Sequence, residues 1–329
     1  MRWKGSRFLT ATGVIAAGAA VLAHAAYRKD IDAARQRIAT EGQVIDSGYG
    51  PIELAQSGDG PAALFIHGAG GGFDQGLDLG RAFLGEGYRV IAPSRFGYLG
   101  TPLPDDASAE AQADAHLHLL DTLQLDAVPV IGVSAGAPSA MQLCLKHPER
   151  CPALVLVVPM AWAPGCSPDP PSPFFERVLN AITTSDFLYW SATKVARMTL
   201  LKTILGTPVP AYRNAMPEER RNVDRMLESI LLISKRAEGI RNDGVVSSGL
   251  TRYGLEDLRV PTLVISAADD LYGTYERGRY TAEQIPNGRF VGFRTGGHLL
   301  LGHDAEVRAR IRGFLAEHRQ ATERRATAV

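Results

Sequence analysis

The chain has 329 residues, 45% of them apolar and 21% charged, a composition that excludes a disordered polypeptide and allows one large domain with an insertion or two modest domains. The 35 Lys and Arg residues cancel 35 Asp and Glu residues, and the missing basic surplus or stripe argues against nucleic acid as a partner. Cys144, Cys151 and Cys166 are too few for a disulfide scaffold and lack the paired spacing of a zinc site, so they read as packing residues.

Residues 8–27 carry no Asp, Glu, Lys or Arg and follow Arg2, Lys4 and Arg7. Twenty helical residues just span a hydrocarbon core of about 30 Å, and the stretch ends in Ala23-His24-Ala25, a small-x-small cleavage pattern. The expectation is a membrane-anchored protein held by this single N-terminal segment, or a secreted or periplasmic one after cleavage behind Ala25, with residues 1–39 as anchor or signal and linker. Runs around 43–46 and 52–56, joined by Ser47-Gly48-Tyr49-Gly50, suggest an antiparallel hairpin at a sheet edge. Strands are expected over 62–68, 88–94, 127–134, 153–159, 261–267 and 288–296, most of them continuously apolar, as in strands covered on both faces. Helices are expected over 108–123, 135–147 and 305–323, the first opened by Ser108 and the second stopped ahead of Pro148. Such alternation predicts an α/β fold with a mostly parallel sheet and helices on both faces. The rhythm breaks after residue 159. Five prolines fall between Pro164 and Pro173, and helical stretches over 174–205 and 217–237 follow. The division expected is therefore a core of 40–159 plus 251–329 with a helical cap inserted at 160–250.

Gly132-Val133-Ser134-Ala135-Gly136 lies where a buried strand gives way to a helix. A side chain at the top of so tight a turn needs small neighbours, which Gly132 and Gly136 supply. The helix start brings unpaired N–H groups beside Ser134. A serine hydroxyl needs a base, and His298 in Thr295-Gly296-Gly297-His298, just after the last strand, is the best placed. His303 is the runner-up. His116, His118 and His318 fall on helices, His147 at a helix end, His24 in the leader. An orienting carboxylate is offered by Asp269 or Asp270, which follow the 261–267 strand. Oxyanion donors are expected from the N–H of Ala135 and from Ala69 or Gly70 in the loop His67-Gly68-Ala69-Gly70-Gly71-Gly72. That loop is no dinucleotide site, because Phe73 stands where the third glycine would be, and His67 reads as its brace.

Together these residues resemble the α/β-hydrolase family from about residue 43 onward. The likeness rests on the His67-Gly68 loop, Arg95-Phe96-Gly97-Tyr98, the turn at Ser134, the Asp pair and Gly297-His298, in the chain order Ser, Asp, His. It implies an eight-stranded sheet, Asp270 rather than Asp269 as the orienting acid, an acyl-enzyme mechanism and no cofactor. The implied activity is a serine hydrolase cleaving a carboxylic ester of a small or lipophilic molecule. Carbon–carbon bond hydrolysis, acyl transfer and a non-catalytic role are the alternatives. The aromatic residues Phe174, Phe175, Phe187, Tyr189 and Trp190 are expected to wall an apolar pocket in the cap. Val133 and Gly136-Ala137 replace the His and Gly-Gly that many relatives carry around the serine, and Ser134 itself excludes the branch with an aspartate nucleophile.

Overall fold

The computed structural model describes residues 5–166 and 173–327, with side chains described from residue 18 onward except at 173–176, 179 and 320–327. The chain opens with α1 (Gly5–Glu41). The first half of the expected anchor over 8–27 falls outside the described side chains, and among the described residues no helix is long and apolar enough to cross a membrane. The last turns of α1 dock on the body. Ile31, Ala34 and Ile38, spaced three and four apart, are buried on one stripe, so folded structure begins ahead of residue 40.

The hairpin forms as β1 (Gln43–Asp46) and β2 (Pro51–Ser57), followed by β3 (Ala62–Ile66), α2 (Phe73–Leu84), β4 (Arg89–Pro93) and α3 (Ala109–Thr122). Ser108 caps α3 by accepting a hydrogen bond from the Ala111 N–H. Then come β5 (Val130–Val133), α4 (Ala137–Lys146) and β6 (Leu154–Val157). The sheet order is β1-β2-β4-β3-β5-β6, continued by β7 (Thr262–Ala267) and β8 (Gly288–Phe293). The β1–β2 and β2–β4 pairings are antiparallel and the other five parallel. Side chains alternate between the two faces. Phe65, Val155 and Val157 join Phe73 and Leu77 of α2, whereas Leu64, Ile66, Leu154 and Leu156 join Leu119 of α3 and Met141 of α4.

Between β6 and β7 the chain is helical: α5 (Pro173–Thr184), α6 (Asp186–Val195), α7 (Arg197–Thr203), α8 (Val209–Asn214), α9 (Pro217–Ser229) and α10 (Ala237–Ser248). The helical stretch expected over 174–205 is divided, and Ser185 starts a new helix with its hydroxyl accepting from the Leu188 N–H. The one over 217–237 ends at Ser229, ahead of Leu232 in left-handed conformation (φ 64°). Four helices fall outside the stretches expected from the sequence: α2, α8, nearly all of α10, and α11 (Thr274–Gln284). The last, α12 (Asp304–Thr327), completes the face shared with α2.

Candidate active site

Parallel pairing of β3 and β5 sets Ile66 opposite Gly132, so the two strands release His67 and Ser134 side by side at their carboxyl ends. Ser134 takes a left-handed conformation (φ 50°) that L-residues rarely hold, the strain expected of a sharp strand-to-helix turn. Gly132 and Gly136 are forced by space. A Cβ on Gly132 would stand 2.7 Å from Ala140 Cβ, and one on Gly136 2.6 Å from the backbone oxygens of Ile66 and His67.

His298 lies on the turn after β8, between the positive-φ glycines 296 and 297 and Leu300 (φ 54°). Its Nε2 is 2.9 Å from Ser134 Oγ, and its Nδ1 is 2.8 Å from Asp270 Oδ2. The Asp270 carboxylate also accepts from Tyr272 N–H at 2.8 Å and from the Thr274 hydroxyl. Asp269 faces the other way and accepts from the N–H groups of Gly297 (2.7 Å) and Gly296 (3.3 Å), fixing the turn that carries His298. The Tyr272 ring stands edge-on to His298 with centroids 4.9 Å apart, its hydroxyl donating to the Ile204 carbonyl at 2.9 Å. The runner-up His303 is elsewhere, bonded to Thr295 O at 3.0 Å and stacked on Phe293.

The loop after β3 is braced as the sequence reading expects. His67 donates from Nδ1 to Gly68 O at 2.7 Å and accepts at Nε2 from Arg95 N–H at 3.0 Å, which fixes its neutral tautomer. Burial, aided by the Arg95 cation, holds its pKa well below the ordinary histidine value. Gly70 differs from expectation. Its N–H already donates to Tyr98 Oη at 3.2 Å, so it is not free for a substrate oxygen. The N–H groups of Ala69 and Ala135 carry no hydrogen bond among the described residues. Both line the cavity that holds Ser134 and His298.

Sequence reasoning missed the groups behind this loop. Tyr98 donates to Asp243 Oδ2 at 2.5 Å, and Arg95 grips the same carboxylate through two bonds of 2.6 and 2.7 Å. Burial and the Asp243 charge push the Tyr98 phenol far above its usual value, so it stays a donor. A second buried pair joins Asp74 of α2 to Arg236, whose Nη2 is 2.7 Å from Oδ2. Arg95-Phe96-Gly97-Tyr98 was visible in the sequence, but its partner, 148 residues from Arg95, carried no local signal.

Of the expected aromatic wall, Phe187, Tyr189 and Trp190 do not line the site. Tyr189 is buried and bonds Leu227 O at 2.8 Å, Trp190 bonds Asp30 of α1 at 2.9 Å, and Phe187 stacks on Trp190. Phe174 and Phe175 lie outside the described side chains. Aliphatic residues, including Val157, Leu205, Val223 and Met226, instead wall a cavity of about 580 Å³ above Ser134.

A profile of the alpha/beta hydrolase family matches residues 63–310. The chain belongs to the alpha/beta hydrolase family. This hydrolase is 26% identical to a 2-hydroxymuconate semialdehyde hydrolase of Pseudomonas putida over 84% of the chain and 94% of that protein. It is also 26% identical to a putative carbamate hydrolase RutD of Serratia proteamaculans, over 68% of the chain and 79% of that protein. An alpha/beta hydrolase fold protein from Nakamurella multipartita superposes with a TM-score of 0.68 at 26% identity, covering 83% of this chain and 98% of that one.

Proposed function

We propose that this hydrolase cleaves carboxylic esters of small or lipophilic molecules through an acyl-enzyme intermediate. Ser134 Oγ attacks the carbonyl carbon while its proton passes to His298 Nε2. Asp270 holds the Nδ1–H and supports the imidazolium, and the N–H groups of Ala69 and Ala135 receive the developing oxyanion. Collapse expels the alcohol, which takes the proton from His298. Water then attacks the acyl carbon and gives a proton to His298, which passes it to Ser134 Oγ as the bond to the serine breaks and the acid leaves. In this reading residues 160–250 act as a cap over the core of 40–159 plus 251–329.

The observation that carries the proposal is the unbroken hydrogen-bonded relay from Ser134 through His298 to Asp270 at the floor of an open cavity. The test is labelling by a fluorophosphonate and turnover of p-nitrophenyl acetate. The intact protein is expected to do both, and Ser134→Ala to lose labelling and at least about 10⁴-fold in kcat. Retention of turnover in Ser134→Ala would remove the assignment. Carbon–carbon bond hydrolysis on the same side chains is a second reading. The likeness to a 2-hydroxymuconate semialdehyde hydrolase favours assaying that semialdehyde beside the esters.

A further inference from the structure

The cavity above Ser134 does not end inside the protein. Exposed Asp78, Arg81, Arg225 and Arg308 line it together with Ser134 and His298, so it runs from the reacting hydroxyl to solvent. Its course follows from where two helices begin. α2 starts directly after the His67–Gly72 loop and α12 directly after the His298 turn, so both lead away from the relay. They run side by side, with Arg308 Nε donating to Ala82 O at 2.7 Å. α9 forms the third side, its Glu219 Oε1 accepting from Gly302 N–H at 2.7 Å.

α2 can serve as a wall because its opposite face is pressed flat on the sheet. A Cβ at Gly76 would stand 2.9 Å from Ala92 Cβ, and one at Gly80 2.5 Å from Val90 Cγ1. The cavity face of α2 carries Gln75, Leu79 and Phe83 at successive turns, opposed by Val223 and Met226 of α9 and by Leu301 in the turn ahead of α12. From Gln75 to Phe83 the helix rises about 12 Å, roughly the length of a chain of eight to ten carbons. The arm along α10 is different in kind. It shows Gly244 and Ser247 to the cavity, and the Ser247 hydroxyl is suited to a polar leaving alcohol.

Resting on the ester-hydrolase reading above, we infer that the passage between α2, α9 and α12 binds the acyl half of the substrate, an unbranched aliphatic chain of about eight carbons or more whose tip reaches the charged rim. Narrowing the passage at its middle must then penalise long chains selectively. With p-nitrophenyl esters, Met226→Trp and, separately, Leu79→Trp are expected to lower the ratio of kcat/KM for octanoate to that for acetate at least about tenfold, while Met226→Ala does not lower it. A second measurement needs no turnover. Protein carrying Ser134→Ala is expected to bind decanoate in calorimetry far more tightly than butanoate, and adding Met226→Trp to weaken decanoate at least about tenfold.

Chain-length ratios and decanoate binding that ignore both tryptophans would overturn the passage, even if every ester is cleaved. Cleavage of no ester, with decanoate binding still sensitive to Met226, would overturn the reaction assignment and leave the passage standing. Absence of decanoate binding would count against the passage directly.

Discussion

Two adjacent carboxylates do different work within a few ångströms. Asp270 faces the His298 ring, and Asp269 holds two N–H groups of the turn on which that ring is mounted. Asp270→Asn is expected to lower kcat about 10⁴-fold by favouring the wrong imidazole tautomer. Asp269→Ala should cost about 100-fold through misplacement of the turn. Steady-state kinetics on p-nitrophenyl acetate compare the two directly, and equal losses would contradict the separation of roles. The chain order of Ser134, the Asp pair and His298 was legible because each follows a strand. The choice between Ala69 and Gly70 was not. It depends on Tyr98, which occupies the Gly70 N–H from another loop.

At the level of elements, strands were the readable part, since continuous runs such as Leu154–Val157 have no alternative to burial on both faces. α2 was illegible for a physical reason. Gly76 and Gly80 weaken a helical pattern in sequence, yet they let the helix approach Ala92 and Val90 more closely than any side chain allows. The segment between β6 and β7 is tied to α2 by charges that no local pattern reveals. Arg236 is fully buried against Asp74, and Arg37 of α1 adds a longer contact at 3.4 Å. Removing one member leaves the other charge uncompensated in a low-dielectric interior. Arg236→Met is expected to destabilise the fold by about 3–5 kcal/mol in urea unfolding, and a loss below about 1 kcal/mol would mean that Arg37 replaces it.

For the whole molecule, the buried histidines set the acid limit. His67 is held well below the ordinary value, and His116, enclosed in the α3–α4 layer, is pushed down to about 3 chiefly by burial and then by Arg95. Both stay neutral in the folded protein, while the unfolded chain protonates them near pH 6.5. Stability therefore rises with pH and is lost as pH falls from about 6.5 towards 3, by up to about 1.4 kcal/mol per pH unit for each ring. Urea unfolding at pH 7, 6 and 5 measures the slope, and His116→Gln should flatten it. An unchanged slope would show that His116 does not titrate on unfolding. The N-terminal helix is fastened at the same scale. Asp30 meets Trp190 and Lys194, Tyr27 packs its ring against Phe187 and Trp190, and Arg37 reaches Asp74 and Ser229 O. Every one of these grips lies downstream of Ala25. A peptidase cutting behind that alanine would sever none of them, so the clasp between α1 and the helices that follow β6 would outlast the loss of residues 1–25.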